Sequence, residues 1–245
     1  MAACPVTPTS TEGGLSNGTF GYVCPNGSDN ACNGAVTDTI AIPGSIAVGA
    51  SFSLLYTPSS VTMNLEPGAL ESSTPSILGG SAGNFDFIAA GTASILVQAP
   101  GGVLDFVSVS SEDVTGFTAA ATLPGFLCQT PPPPAPDAGA ADAGATDADI
   151  PVDAGTVMNL GPVVIPQGSA LDLDLEPIGS DGQELAGNVA LSVTSSDDTI
   201  VSIDPSSLDD AHAFELCGAG VGTAVITVTI QGQASSSFLV TVGAP

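Results

Sequence analysis

The chain has 245 residues, 43% of them hydrophobic but only 10% charged, and it contains no lysine or arginine against 25 Asp and Glu. A protein of this length ordinarily carries roughly 30 basic residues. The formal charge of -25 therefore excludes a basic patch for nucleic acid, a P-loop lysine for phosphate and a cation to dock on anionic lipid. Enough apolar residues remain to bury a core, which separates the chain from disordered acidic sequences. Tryptophan is absent and Tyr22 and Tyr56 are the only tyrosines, so an aromatic platform for sugars is not expected.

In chain order, residues 1–35 read as an N-terminal segment. Met1-Ala2-Ala3-Cys4 resembles the end of a bacterial lipobox, where small residues precede a lipid-modified cysteine. The resemblance implies a lipid anchor at Cys4; the alternative is an ordinary free or disulfide-bonded cysteine. Met1 stands where leucine is usual and no apolar stretch precedes it, so the chain is expected to begin after a removed signal peptide. Five cysteines are an odd number, and lipidation of Cys4 leaves four to pair. Cys24 and Cys32 flank a turn-rich loop, which predicts a local disulfide. Two cysteines and one distant histidine do not make a zinc site. Asn17-Gly18-Thr19 and Asn26-Gly27-Ser28 have the form of glycosylation sequons but read as Asn-Gly turns.

Residues 36–128 are expected to form a first β-sandwich and residues 156–245 a second. Between them, residues 129–155 read QTPPPPAPDAGAADAGATDADIPVDAG, a polyproline run followed by Asp-Ala-Gly repeats with nothing to bury. That composition predicts a linker, semi-rigid and then flexible. Beyond it, Leu171, Leu173 and Leu175 alternate with Asp172, Asp174 and Glu176, period two with one apolar and one acidic face. Val189 to Val193, Ile200 to Ile203, Ala224 to Ile230 and Phe238 to Val242 continue as short strands with Gly, Pro, Asp and Ser between them. The two halves also echo each other in order: Ile46–Tyr56 with Val163–Leu175, Phe85–Val97 with Phe214–Val228, and Leu104–Ser110 with Ser236–Val242. This reads as an internal repeat. The fold class expected is all-β, two immunoglobulin-like β-sandwich domains joined by a Pro/Asp-Ala-Gly linker.

Ser195, Ser196, Asp197, Val201, Ile203, Gly222, Thr223, Ala224, Ile226 and Thr227 fall in an order that resembles the bacterial immunoglobulin-like group 2 domain. The tryptophan often found before the Ser-Ser step is missing, with Val193 near its place. Gly91-Thr92-Ala93 extends the resemblance to the first half. The Asp-Ala-Gly linker and NGTFGYVCPNGSDNAC resemble surface lipoproteins of myxobacteria. These resemblances imply an extracellular or outer-membrane surface location.

Little in the sequence points to catalysis. His212 is the only histidine, in an acidic stretch that reads as an exposed turn, and no nucleophile elbow accompanies it. Asp197/Asp198 and Asp209/Asp210 are adjacent pairs, which on a strand point to opposite faces, so turns are expected. Calcium is the one ligand the composition favours. Asp172, Asp174 and Glu176 share a strand face, though about 7 Å apart along it, and a solvated acidic face is the competing reading. Two readings stand for Cys128 and Cys217: a disulfide spanning the linker, or Cys217 as a core residue in the place of Ile88. No other cofactor is expected. The function expected is a non-enzymatic surface or secreted module, structural or adhesive, its linker holding the second domain away from the surface. The alternative is a fibre subunit assembled by β-edge pairing, and a hydrolase ranks last. The partner expected is an unknown protein or surface, with self-association as an option, no nucleic acid, and membrane contact only through the anchor.

Overall fold

A computed structural model describes residues 10–24, 29–32, 39–59, 70–122, 128, 163–204, 212–230 and 235–244. The chain is all-β. In the N-terminal half the strands are β1 (Thr11–Glu12), β2 (Gly18–Val23), β3 (Thr39–Ile40), β4 (Ile46–Ala47), β5 (Ser51–Pro58), β6 (Leu70–Ser72), β7 (Leu78–Ser81), β8 (Asn84–Phe87), β9 (Gly91–Ala99) and β10 (Gly102–Glu112). A 3-10 turn, Asn30–Cys32, lies between β2 and β3. The C-terminal half comprises β11 (Gly116–Thr122), β12 (Val163–Pro166), β13 (Ala170–Ile178), β14 (Leu191–Ser195), β15 (Val201–Asp204), β16 (Ala213–Gly218), β17 (Gly222–Ile230) and β18 (Ser235–Gly243).

Alternation decides the layers. On β13 the three leucines are buried while Asp172, Asp174 and Glu176 turn outward, and on β17 Ala224, Ile226, Val228 and Ile230 are buried between outward threonines and a valine. The C-terminal half is two four-stranded sheets, β11-β13-β16-β15 and β12-β18-β17-β14. The N-terminal half runs as one path, β1-β2-β5-β8-β7-β6-β9-β10-β4, with β3 on β2. One residue pair, Glu71 with Ser81, joins β6 to β7, and the path folds back there. The turn after β1 consequently meets β10, where the Gly14 N–H donates to the Phe106 carbonyl at 2.7 Å.

The repeat seen in the sequence is present in the pairing. β2, β4, β5, β6, β7, β8, β9 and β10 pair among themselves as β11, β12, β13, β14, β15, β16, β17 and β18 do, except that the single β6–β7 pair has no counterpart between β14 and β15. Both sets include one parallel pair, β4 on β10 and β12 on β18. In each half the short parallel strand leaves through a glycine with positive φ, Gly49 at 84° and Gly168 at 81°. A side chain with a Cβ resists that left-handed conformation.

Two expectations differ from what is observed. Residues 116–122 were assigned by sequence to the first sandwich, but β11 pairs with β13 along seven residues, Gly116 with Ile178 through Thr122 with Asp172. The place beside β5 is already taken by β2, which comes from the segment 1–35 expected to precede the sandwich. It follows that residues 129–155 leave from and return to the same half, β11 on one side and β12 on the other. In connectivity they are an excursion between two strands of the second half, β11 and β12. The residues of that excursion lie outside those described.

The halves are joined closely. Only Asp113, Val114 and Thr115 separate β10 from β11, and Val114 is buried. The segment after β13 adds bridges from Ala186 to Ile46 and from Asn188 to Ser51. One core of buried side chains runs through both halves. Gly187 sits at the closest approach: its φ is 99°, and a Cβ there would meet the Ala50 Cβ at 2.6 Å and the Ile46 Cγ2 at 2.9 Å.

Candidate functional site

A chain without lysine or arginine must satisfy buried carboxylates with neutral donors. Among the described residues two aspartates are buried, Asp29 at 2% and Asp105 at 0% exposure, and each takes a hydrogen bond from one of the two tyrosines. Asp105 accepts from the Leu15, Asn17 and Phe106 amides at 2.9, 3.0 and 2.9 Å and from the Tyr56 hydroxyl at 3.3 Å. This ties β10 to the turn after β1 and closes the N-terminal half. Asp29 accepts from the Tyr22 hydroxyl, from the Ala31 amide at 3.0 Å and from the Gly187 amide at 3.1 Å. It therefore links the N-terminal half to the segment after β13. Burial, then the aspartate charge and the hydrogen bond, push the Tyr56 hydroxyl up to about 12. The same causes raise Tyr22 further.

Neither aspartate was identified from the sequence. Asp29 lay inside what read as a polar turn, and nothing local marks its contact with Gly187. Asp105 carried a signal: it falls in phase with Val107 and Val109, the inward side of β10. An aspartate on the apolar phase of a strand is a buried-carboxylate signature.

Both disulfides are formed. Cys24 and Cys32 lie 5.5 Å apart at Cα and bracket the loop that carries Asp29. Cys128 and Cys217 lie 5.7 Å apart at Cα, which decides between the two readings of Cys217. Its neighbour Leu216 points to the core, so Cys217 faces out and is covered by its partner, as Ile88 at the equivalent position faces out at 60% exposure. The cystine and the Cys128 amide, which donates to the Gly168 carbonyl at 3.1 Å, pin the start of the excursion to the second half. Cys4 lies outside the described residues.

His212 is not an exposed turn residue: it is 2% exposed. Its Nε2 accepts from the Val189 amide at 3.4 Å, which leaves the neutral ring's proton on Nδ1, 3.8 Å from the Glu176 carboxylate. Burial raises the Glu176 pKa, opposed by His212 and assisted by Asp174 and Glu184. Glu176 is thus drawn toward His212, while Asp174 is exposed and Asp172 lies beside Glu215. The calcium candidates share a face but do not converge, and among the described residues no three His, Cys, Asp or Glu side chains are grouped to hold a metal. Asp197 makes a turn, accepting from the Thr199 amide and hydroxyl, and these bonds hold its carboxyl below the usual range. Asp209 and Asp210 lie outside the described residues. Asn17 faces Asp105 and donates through its side chain to the Leu104 carbonyl at 2.7 Å, so that sequon is a structural turn.

A cleft of about 730 Å³ lies between the halves, lined in part by Ser45, Glu112, Thr118, Asp181 and Glu184. Ser45 donates to Glu112 at 2.9 Å and Thr118 to Glu184 at 3.4 Å. Among the described residues that line it, none is an imidazole or thiolate that could activate these hydroxyls. No described helix is long and apolar enough to cross a membrane.

No family model matches the chain and no curated protein matches it. The group 2 resemblance therefore rests on the residues quoted for it. Among solved structures, surface layer protein SbsC, domains 1-6, is 15% identical over 80% of this chain with a TM-score of 0.29, and the chain spans 23% of its length. The adhesin InvE of Yersinia pseudotuberculosis is 13% identical over 82% of this chain and 57% of its own, with a TM-score of 0.32. A glycosyl hydrolase family 2 member from Bacteroides cellulosilyticus is 11% identical over 91% of this chain and 28% of its own, TM-score 0.30. TM-scores this low bring nothing from those proteins to this one.

Proposed function

We propose that the chain is a non-enzymatic structural or adhesive module outside the cell. The observation that carries this reading is the commitment of its buried polar groups to the fold. The single imidazole is buried against Val189 and Glu176, and the two buried carboxylates hold loops and the junction between halves. General acid–base chemistry needs a group within reach of substrate, and these are enclosed. Two disulfides favour an oxidising compartment, and anchoring through a lipidated Cys4 fits the same location. Edge pairing into a fibre is a second reading, favoured by β11, which ends its sheet and carries no charge over seven residues.

The test is the intact mass of the protein from its native cells, before and after reduction, with protease shaving of whole cells. An extracellular module gives four disulfide-bonded cysteines and loss of the protein on shaving. A diacylglyceryl-sized excess adds the anchor. Fully reduced cysteines in a protein that shaving does not touch contradict the proposal.

A further inference from the structure

The carboxylates are not spread evenly over the surface. The sheet β11-β13-β16-β15 presents Asp172, Asp174, Glu176, Asp204 and Glu215. The four strands of the opposite sheet contain no charged residue, and residues 216–245 contain none at all. The outward side of that sheet is a field of hydroxyls and methyls. Thr223 and Thr241 stand opposite each other with Val164 on the next strand. Thr227 faces Ser237 with their hydroxyl oxygens 2.9 Å apart. Leu239 is 56% and Val164 62% exposed, two large apolar side chains left in water on one face.

We infer that the outward face of β12, β18, β17 and β14 is a self-association surface, on which two copies of this chain pack sheet against sheet. The charge distribution chooses the occupant. Two copies of a chain of formal charge -25 repel each other wherever carboxylates meet. When they meet on this face, the acidic sheets lie outermost. Sheets pack about 10 Å apart, so those carboxylates are separated by roughly 30 Å, several times the Debye length of about 8 Å at physiological salt. The Thr227 and Ser237 hydroxyls already pair with each other, so burying them costs less than burying solvated groups. The size of the face sets the strength. β17 and β18 are nine residues long but β12 only four and β14 five, so at about 3.3 Å per residue and about 4.8 Å between strands the face offers roughly 430 Å² per copy, roughly 850 Å² in all, the size of weak, transient contacts. The dimer is therefore weak and concentration-dependent.

This inference names the partner for the module proposed above and rests on that reading; cellular location and thiol state test the reading, while assembly state tests only this surface. The experiment is sedimentation equilibrium of the full chain at increasing protein concentration in about 50 mM and about 500 mM salt, for the wild type, Leu239→Glu, Leu55→Glu and Ala120→Pro. Leu55 is 54% exposed on β5, in the other half, and serves as the control. The expected result is a dimer that tightens with salt, weakens by about tenfold or more in Leu239→Glu, and is unchanged in Leu55→Glu. A wild type that stays monomeric in both salts overturns the inference. So does a dimer that survives Leu239→Glu, and one abolished only by Ala120→Pro would lie at the β11 edge instead.

Discussion

The two sheets of the C-terminal half meet the core with the same pattern and meet water with opposite ones. Leu173 and Leu175 on one side and Ile226 and Val228 on the other are all buried. Outward, one sheet carries five carboxylates and the other none. Folding requires only the inward half of the alternation, because apolar burial supplies the driving force. The outward half is free to serve solubility on one sheet and contact on the other. Contact is to be sought at the face whose composition departs from the rest of the surface.

The cystine belongs to the acidic sheet alone, and removing it should have the largest effect. Cys128 and Cys217 are 89 residues apart, and closing a loop of that size is worth about 4–5 kcal/mol in the chain-entropy model. Cys128→Ser/Cys217→Ser should lower stability to chemical denaturation by that amount. In amide exchange it should loosen β11 and β13 before β17. Equal loosening of both sheets would show that they do not differ in this respect.

Inward truncations should erase the contrast. Leu173→Ala and Ile226→Ala each remove a fully buried side chain, and each should cost about 2–5 kcal/mol by urea unfolding. A large inequality would break the claim that the inward faces are equivalent. Comparable in size is the junction: Asp29→Ala leaves the Tyr22 hydroxyl and the Gly187 amide without their acceptor. It should cost about 2–3 kcal/mol and speed exchange at Gly187 and Asn188.

Tyrosine ionisation gives a window in pH. The Tyr56 pKa is raised to about 12 from 10.0. Its contribution is fully present below the unfolded value and is lost as pH rises through the folded one, so stability should fall between pH 10 and about 12. Tyr56→Phe should flatten that part of the alkaline profile, and an unchanged slope would remove Tyr56 as its cause. The smallest effects lie on the outward faces. Because the Glu176 pKa is raised chiefly by burial, its contribution is best below the unfolded carboxyl pKa and is lost as pH rises through the folded one. Glu176→Gln should raise Tm at neutral pH in thermal unfolding. Added salt should raise the wild-type Tm, and less so for Asp174→Ser.

Much of the fold was legible. Period two in Leu171 to Glu176 gave β13 and its orientation, and the echo between Phe85–Val97 and Phe214–Val228 appears as β8–β9 and β16–β17. What was not legible was the partner of Gly116–Thr122. Alternation tells which side of a strand is buried but not which neighbour it pairs with, and that was decided by β2, about 100 residues earlier. The candidate site was less legible still. His212 was marked by being alone, but Val189 and Glu176, which enclose it, come from other strands and turns. Asp29 gave no local sign of Gly187.

The two halves share one core, and residues 129–155 connect β11 to β12 as an excursion within one half. A protease site placed within that excursion tests this arrangement directly. After cleavage and reduction, the two fragments should stay together as one folded particle, because β11 on the first fragment pairs with β13 on the second. Separation into two independently folded pieces would contradict the account and restore the excursion as a linker between domains.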